Sequence, residues 1–92
     1  MKDDLLKIIK HFGINVQQRK LQEEVFELQE AITKLECGNG YTENIEEEMV
    51  DVMILLKQIF QYYNLCESTM LLIEEEKIKR TIDRIEQGYY EK

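Results

Sequence analysis

The segment LQEEVFELQEAITKLECGNGYTENIEEEMVDVMILL, residues 21–56, holds two acidic pairs at three-residue spacing, Glu24/Glu27 and Glu48/Asp51. On a helix, residues three apart lie one turn apart along the axis and ~60° apart around it, so each pair forms a two-oxygen claw. Leu21, Val25, Leu28, Ile32 and Leu35 recur in a 4-3-4-3 rhythm, which predicts a bundle-type seam on a helix over 15–36. Ile45, Met49, Val52, Leu56, Ile59 and Tyr63 give a second seam on a helix over 45–63. Between them Cys37 to Asn44, with Gly38-Asn39-Gly40, is too short for another element and suits the turn of an antiparallel pair. Glu24 and Glu27 then fall beside the first seam, while Glu48 falls inside the apolar arc of the next helix and Asp51 just beyond its edge. With the turn near residue 40, Glu24 and Glu27 stand ~14–18 Å from the end of their helix and Glu48 and Asp51 ~6–11 Å from the end of theirs, a difference that a slanted loop absorbs.

The rest of the chain extends this pattern. Leu5, Ile8, Ile9 and Phe12 form an amphipathic stripe over 2–12 ended by Gly13, and Leu71, Ile78, Ile82 and Ile85 form another over 68–87 ended by Gly88. Asn15, Thr42 or Asn44, and Ser68 are the expected N-caps, and Asn64 the left-handed stop after the third helix. The expected fold is all-α: one domain over 1–92, a four-helix bundle whose fourth stripe faces the other three. A chain of 92 residues buries only about two-thirds of its unfolded surface, so a homodimer or homotetramer is expected. A net charge of −7, from 19 acidic against 12 basic residues, argues against a broad nucleic-acid or anionic-membrane surface. The longest apolar run, Val52 to Leu56, is far below the ~20 residues of a membrane span. Cys37 and Cys66 lack CxxC spacing and no secretory h-region follows Met1, which points to reduced thiols in the cytoplasm.

Four carboxylates gathered in a partly dry groove repel, and either their pKa values rise or a cation neutralises them. Mg²⁺, with Mn²⁺ as a substitute, is the natural candidate: it is hard, keeps waters and bridges carboxylates to phosphates. A metal held there would orient a polyphosphate and acidify a bound water for attack on phosphorus. The same acids also read as ordinary surface, since Lys20/Glu24 and Glu23/Glu27 sit at helix-pair spacing.

The pattern EExxE, a spacer, then ExxD, here Glu23-Glu24-x-x-Glu27 and Glu48-x-x-Asp51, resembles the MazG-like family of all-α nucleoside triphosphate pyrophosphohydrolases. The resemblance runs from about Gln18 to Arg84. It implies Glu24, Glu27, Glu48 and Asp51 as Mg²⁺ ligands, Glu23 as a water-orienting or supporting acid, and hydrolysis between the α and β phosphates. It also implies phosphate contacts from Lys77 and Arg80. These share a helix face with Arg84, but the face points away from the Leu71/Ile78/Ile82 stripe. They therefore reach a neighbouring subunit's site or are surface charges paired with Glu74, Glu76 or Asp83. Lys79, nearer the stripe, and Lys20 and Arg19, near the acids, are further candidate phosphate contacts. There are two departures from the family pattern: Glu74 and Glu75 stand where an Asn is common before the basic pair, and Ile78 replaces an aromatic.

His11 beside Phe12 reads as a partner for a helix C-terminus, not as a catalyst. Neither cysteine carries a thiol-activating signature. The expected activity is Mg²⁺-dependent conversion of a nucleoside triphosphate to the monophosphate and pyrophosphate, as in house-cleaning of non-canonical nucleotides. The alternative is a non-catalytic helical protein that binds another protein or sequesters nucleotides.

Overall fold

A single residue, Gly13, separates the first two helices. Helix α1 (Lys2–Phe12) closes with the Gly13 N–H donating to the Ile9 carbonyl at 2.8 Å, and α2 (Ile14–Glu36) begins at the next residue. Gly13 makes this break at φ 89° and ψ 152°, a conformation that a Cβ disfavours. Asn15 is consequently inside α2 and not its N-cap, and its carbonyl accepts a hydrogen bond from Arg19 Nε at 3.2 Å. The computed structural model describes residues 2–91 and adds α3 (Thr42–Tyr62) and α4 (Glu67–Glu86), every regular element being helical.

Helices α3 and α4 start earlier than the candidate caps suggest. Tyr41 and Cys66 precede them, neither making a side-chain cap, so Asn44 and Ser68 lie within the helices and Thr42 is the first residue of α3. Glu43 and Glu67 in the first turns put negative charge on the positive end of each dipole instead. The C-termini follow expectation more closely. After α2 the Gly38 N–H donates to Leu35 O at 3.0 Å and Asn39 to Lys34 O at 2.8 Å, the paired bonds of a Schellman stop. Asn64, at φ 51°, closes α3 in the same way, with its own N–H on Gln61 O and that of Leu65 on Phe60 O.

Helices α2 and α3 pack as an antiparallel pair and α1 lies against both. The buried seam is not the one expected. Gln17, Leu21, Glu24, Leu28, Ala31 and Leu35 are the buried or half-buried column of α2, whereas Val25 and Ile32 are exposed. On α3 the column is Ile45, Glu48, Val52, Leu55 and Gln58, while Met49 and Leu56 remain exposed. Both columns of α2 keep the same 4-3-4-3 rhythm and share Leu21, Leu28 and Leu35, so the apolar pattern is compatible with a partner on either side. The structure selects the side with Ala31, whose small side chain lets α3 approach closely, and with Gln17 and Gln58, which bond each other.

Helix α4 packs against no other helix among the described residues, so its apolar stripe does not face the other three within the chain. The radius of gyration is 17.0 Å, against about 12 Å for a compact chain of this length. The accessible surface is 7949 Å², against about 5,700 Å² for a compact monomer of this mass. Leu55, 3% exposed, anchors the observed seam. Leu55→Ala is expected to cost about 2–5 kcal/mol of unfolding free energy in urea titration, and a loss below ~1 kcal/mol would contradict this register.

Candidate metal centre

The antiparallel register places the acids. Gln17 Nε2 donates to Gln58 Oε1 at 2.9 Å, in a buried contact between α2 and α3. Two helical turns along, at the same i+7 column, Glu24 stands opposite Asp51, and one turn further Glu27 stands opposite Glu48. As the α2 number rises by seven and then three, the α3 number falls by the same steps. The two claws are therefore level, with the pairing centred between Cys37 and Gly38. Glu27 stands nine residues before the end of α2 and Glu48 six after the start of α3, and the loop over 37–41 absorbs that difference, as expected. The Schellman stop at Gly38 begins that loop.

Glu24, Glu27 and Glu48 each offer a carboxylate oxygen, and these oxygens lie within 4.8 Å of one another. Oxygens on a Mg²⁺ octahedron stand ~2.9 to ~4.2 Å apart at ~2.05 Å bond lengths, so modest side-chain rotation would close the set onto an ion. Glu24 Oε2 and Glu48 Oε2 are buried and have no hydrogen-bond partner. A buried acceptor without a donor is costly. A hard cation would satisfy both atoms, and the all-oxygen donor set, with no Cys or His, suits Mg²⁺ or Mn²⁺.

Electrostatics at the cluster agree with the geometry. The Glu24 carboxyl is pushed above its ordinary value by burial first, then by Glu27, and by Asp51 and Glu48 beyond it. Glu48 is likewise raised by burial first, then by the charges of Glu27 and Asp51. Asp51 is thus close enough to act on both, although it lies outside the tight set of three. Asp51 is exposed and, with Glu24, Lys20 and Gln58, lines a groove of about 370 Å³ beside the cluster. Lys20 and the acids thus line one groove, the placement a phosphate contact requires.

The remaining predicted site residues are elsewhere. Glu23 is exposed and shares a different surface hollow with Arg19, Phe26, Glu27 and Glu30. Lys77, Lys79 and Arg80 are exposed on α4, which touches neither α2 nor α3, so the chain does not deliver them to its own cluster. His11 is exposed and meets Phe12 edge to face at 4.7 Å. The Gln17–Gln58 pair was not anticipated from the sequence, yet each residue stands seven positions from an acid, Gln17 from Glu24 and Gln58 from Asp51. That heptad spacing is the signal that places them in the same columns. Comparison with known proteins yields no match: no family model, curated protein or solved structure corresponds to the chain.

Because the Glu24 and Glu48 pKa values are raised in the folded state, the native protein holds protons more tightly there than the unfolded chain. Their ionisation therefore destabilises the metal-free fold, a penalty present at neutral pH and relieved as pH falls towards the ordinary carboxylate value of 4.5. Removing one charge should do the same at constant pH. In metal-free buffer at pH 7, Glu48→Gln is expected to melt a few degrees above the wild type by circular dichroism. A lower melting temperature for the variant would show that the ionised cluster is stabilised by contacts within the chain.

Proposed function

We propose that the chain is a Mg²⁺-dependent nucleoside triphosphate pyrophosphohydrolase of the MazG-like kind, acting as a homodimer or homotetramer in the cytoplasm. The observation that carries this reading is the pair of orphaned, buried oxygens of Glu24 on α2 and Glu48 on α3, gathered with a Glu27 oxygen within 4.8 Å in the antiparallel seam. The EExxE and ExxD motifs supply the substrate class, and the adjacent groove with Lys20 supplies space and a cation for phosphate. Among the described residues no helix is long and apolar enough to cross a membrane. Both cysteines are free and exposed, which suits a reducing compartment.

In the proposed reaction a water oxygen bonds to the α-phosphorus and the bond from that phosphorus to the bridging oxygen breaks. Pyrophosphate leaves and the nucleoside monophosphate remains. Mg²⁺, when bound, would neutralise phosphate charge and lower the pKa of coordinated water. Glu24, Glu27 and Glu48 would hold it, with Asp51 completing the acidic set from the groove side. Glu23, on the outer face of α2, acts as a supporting acid only if side-chain rotation brings it towards the water. Lys20 would steady the phosphates from the groove, with Lys77, Lys79 and Arg80 contributing from another chain.

The proposal is tested by pyrophosphate release from a panel of canonical and modified nucleoside triphosphates, with Mg²⁺ and with chelator. Magnesium-dependent release is expected, reduced at least ~1000-fold in Glu48→Gln. Absence of release from every substrate, with the protein folded and Mg²⁺ present, would favour the alternative of a protein-binding or nucleotide-sequestering chain. The exposed apolar surface of α3 and α4 is the observation behind that alternative.

A further inference from the structure

The α2–α3 seam holds a second polar group, to which the reaction above gives no role. Gln17 and Gln58 are 4% and 1% exposed and share one hydrogen bond, Gln17 Nε2 donating to Gln58 Oε1 at 2.9 Å. That bond leaves Gln17 Oε1 to accept and Gln58 Nε2 to donate, and neither atom has another partner among the described residues. The sealed, unpartnered side-chain atoms are those of Glu24, Glu48 and Gln61, so the two spare amide atoms keep an opening. It gives onto the groove of about 370 Å³ that both residues line. A buried amide pair with half its hydrogen-bond capacity unused is costly, and an apolar pair of similar volume would fill the same space.

We infer that the Gln17–Gln58 pair is the specificity-determining contact of the site and reads the hydrogen-bonding edge of the nucleobase, an inference that rests on the proposed function. The groove has two chemically different ends. Glu24, Asp51 and Lys20 line it beside the cation cluster. Gln17 and Gln58 stand seven positions from Glu24 and Asp51 on the same two helices, ~10 Å along the axis. That separation is comparable to the reach from the α-phosphate of a nucleotide to the far edge of its base. Ile8, Ile54 and the half-exposed Phe12 line the same groove and offer apolar and aromatic surface to a flat ring. A spare donor and a spare acceptor on neighbouring side chains are what a Watson–Crick edge requires of its reader. Both side chains are primary amides, so the bond between them can equally run from Gln58 to Gln17, which exchanges the spare donor and the spare acceptor. The pair therefore accepts an edge in either order, acceptor then donor as in uracil, or donor then acceptor as in cytosine. It rejects an edge whose ring nitrogen is alkylated. The substrate class is a nucleoside triphosphate with an unblocked Watson–Crick edge, and no single base is selected.

The test is calorimetric binding in the presence of Mg²⁺, so that it does not depend on turnover. The probes are the α,β-methylene analogues of uridine and cytidine triphosphate, the N3-methyl derivative of the uridine analogue, and inorganic tripolyphosphate, which has no base. The proteins are the wild type and Gln17→Met combined with Gln58→Met, which keeps side-chain length and leaves no amide unpaired. The wild type is expected to bind both unmethylated nucleotides at least ~10-fold more tightly than tripolyphosphate or the N3-methyl analogue. The double variant is expected to hold tripolyphosphate as the wild type does and to lose the preference for the nucleotides. Tripolyphosphate or the N3-methyl analogue bound by the wild type as tightly as the unmethylated nucleotides overturns the inference and leaves the proposed function standing. So does a preference that survives in the double variant, as a merely structural role of the amides would leave it. The N3-methyl comparison decides without a variant. Binding of none of the probes, with Mn²⁺ still held by the cluster, overturns both readings.

Discussion

Two carboxylates sit in a helix–helix seam at positions where packing alone favours an apolar side chain. Glu24 and Glu48 occupy the same columns as Leu21, Leu28, Val52 and Leu55, and each keeps one oxygen buried without a donor. An unsatisfied buried acceptor is costly, and more so when it is charged. The neighbouring Glu27 and Asp51 add repulsion in place of relief. An uncharged residue of similar volume at either position would remove the cost. The rest of the α2–α3 pair is arranged so that this cost can be borne: Ala31 permits close approach, Leu55 supplies apolar burial, and Gln17 and Gln58 bond each other in the seam. The cost is local, and a hard cation bound there would relieve it.

Placing polar groups in the inner columns has a consequence on the opposite side of the helices. Val25, Ile32, Met49 and Leu56, which on pattern alone would be core, are turned outwards. The short connection after Asn64 leads into a helix that finds no place on the α1–α3 core. The acidic cluster and the uncovered apolar surface are therefore two results of one choice of register. A protomer packed on its apolar columns would bury those residues and lose the cluster. The observed packing keeps the cluster and leaves those residues uncovered within the chain.

Much of this was legible in the amino-acid pattern. The four helices, the glycine and Asn64 stops, the antiparallel pair and the acids at three-residue spacing all follow from short-range rules that the structure obeys. The N-caps were less legible, because Asn15, Asn44 and Ser68 are good capping residues that lost to a one-residue glycine break at Gly13 and to early starts after Tyr41 and Cys66. The register was ambiguous for a physical reason: Leu21, Leu28 and Leu35 belong to two columns at once, and the choice depends on long-range packing of Ala31 and the Gln17–Gln58 bond. The periodicity of α4 indicated an amphipathic helix but not where its partner lies. A stripe specifies that a face must be covered, and the same residues satisfy that need within a chain or between two. The candidate site followed the same division, since the three-residue spacing showed which acids could act together and only the register showed that Glu27 and Glu48 are level.

The most direct measurement is the electron paramagnetic resonance spectrum of Mn²⁺ titrated into the metal-free protein and into Glu24→Gln. The account predicts loss of the free-ion signal with saturation at a defined number of ions per chain, and its return in the variant. A wild-type titration in which Mn²⁺ remains free, or a Glu24→Gln titration indistinguishable from it, would contradict the claim that the seam carboxylates form a cation site.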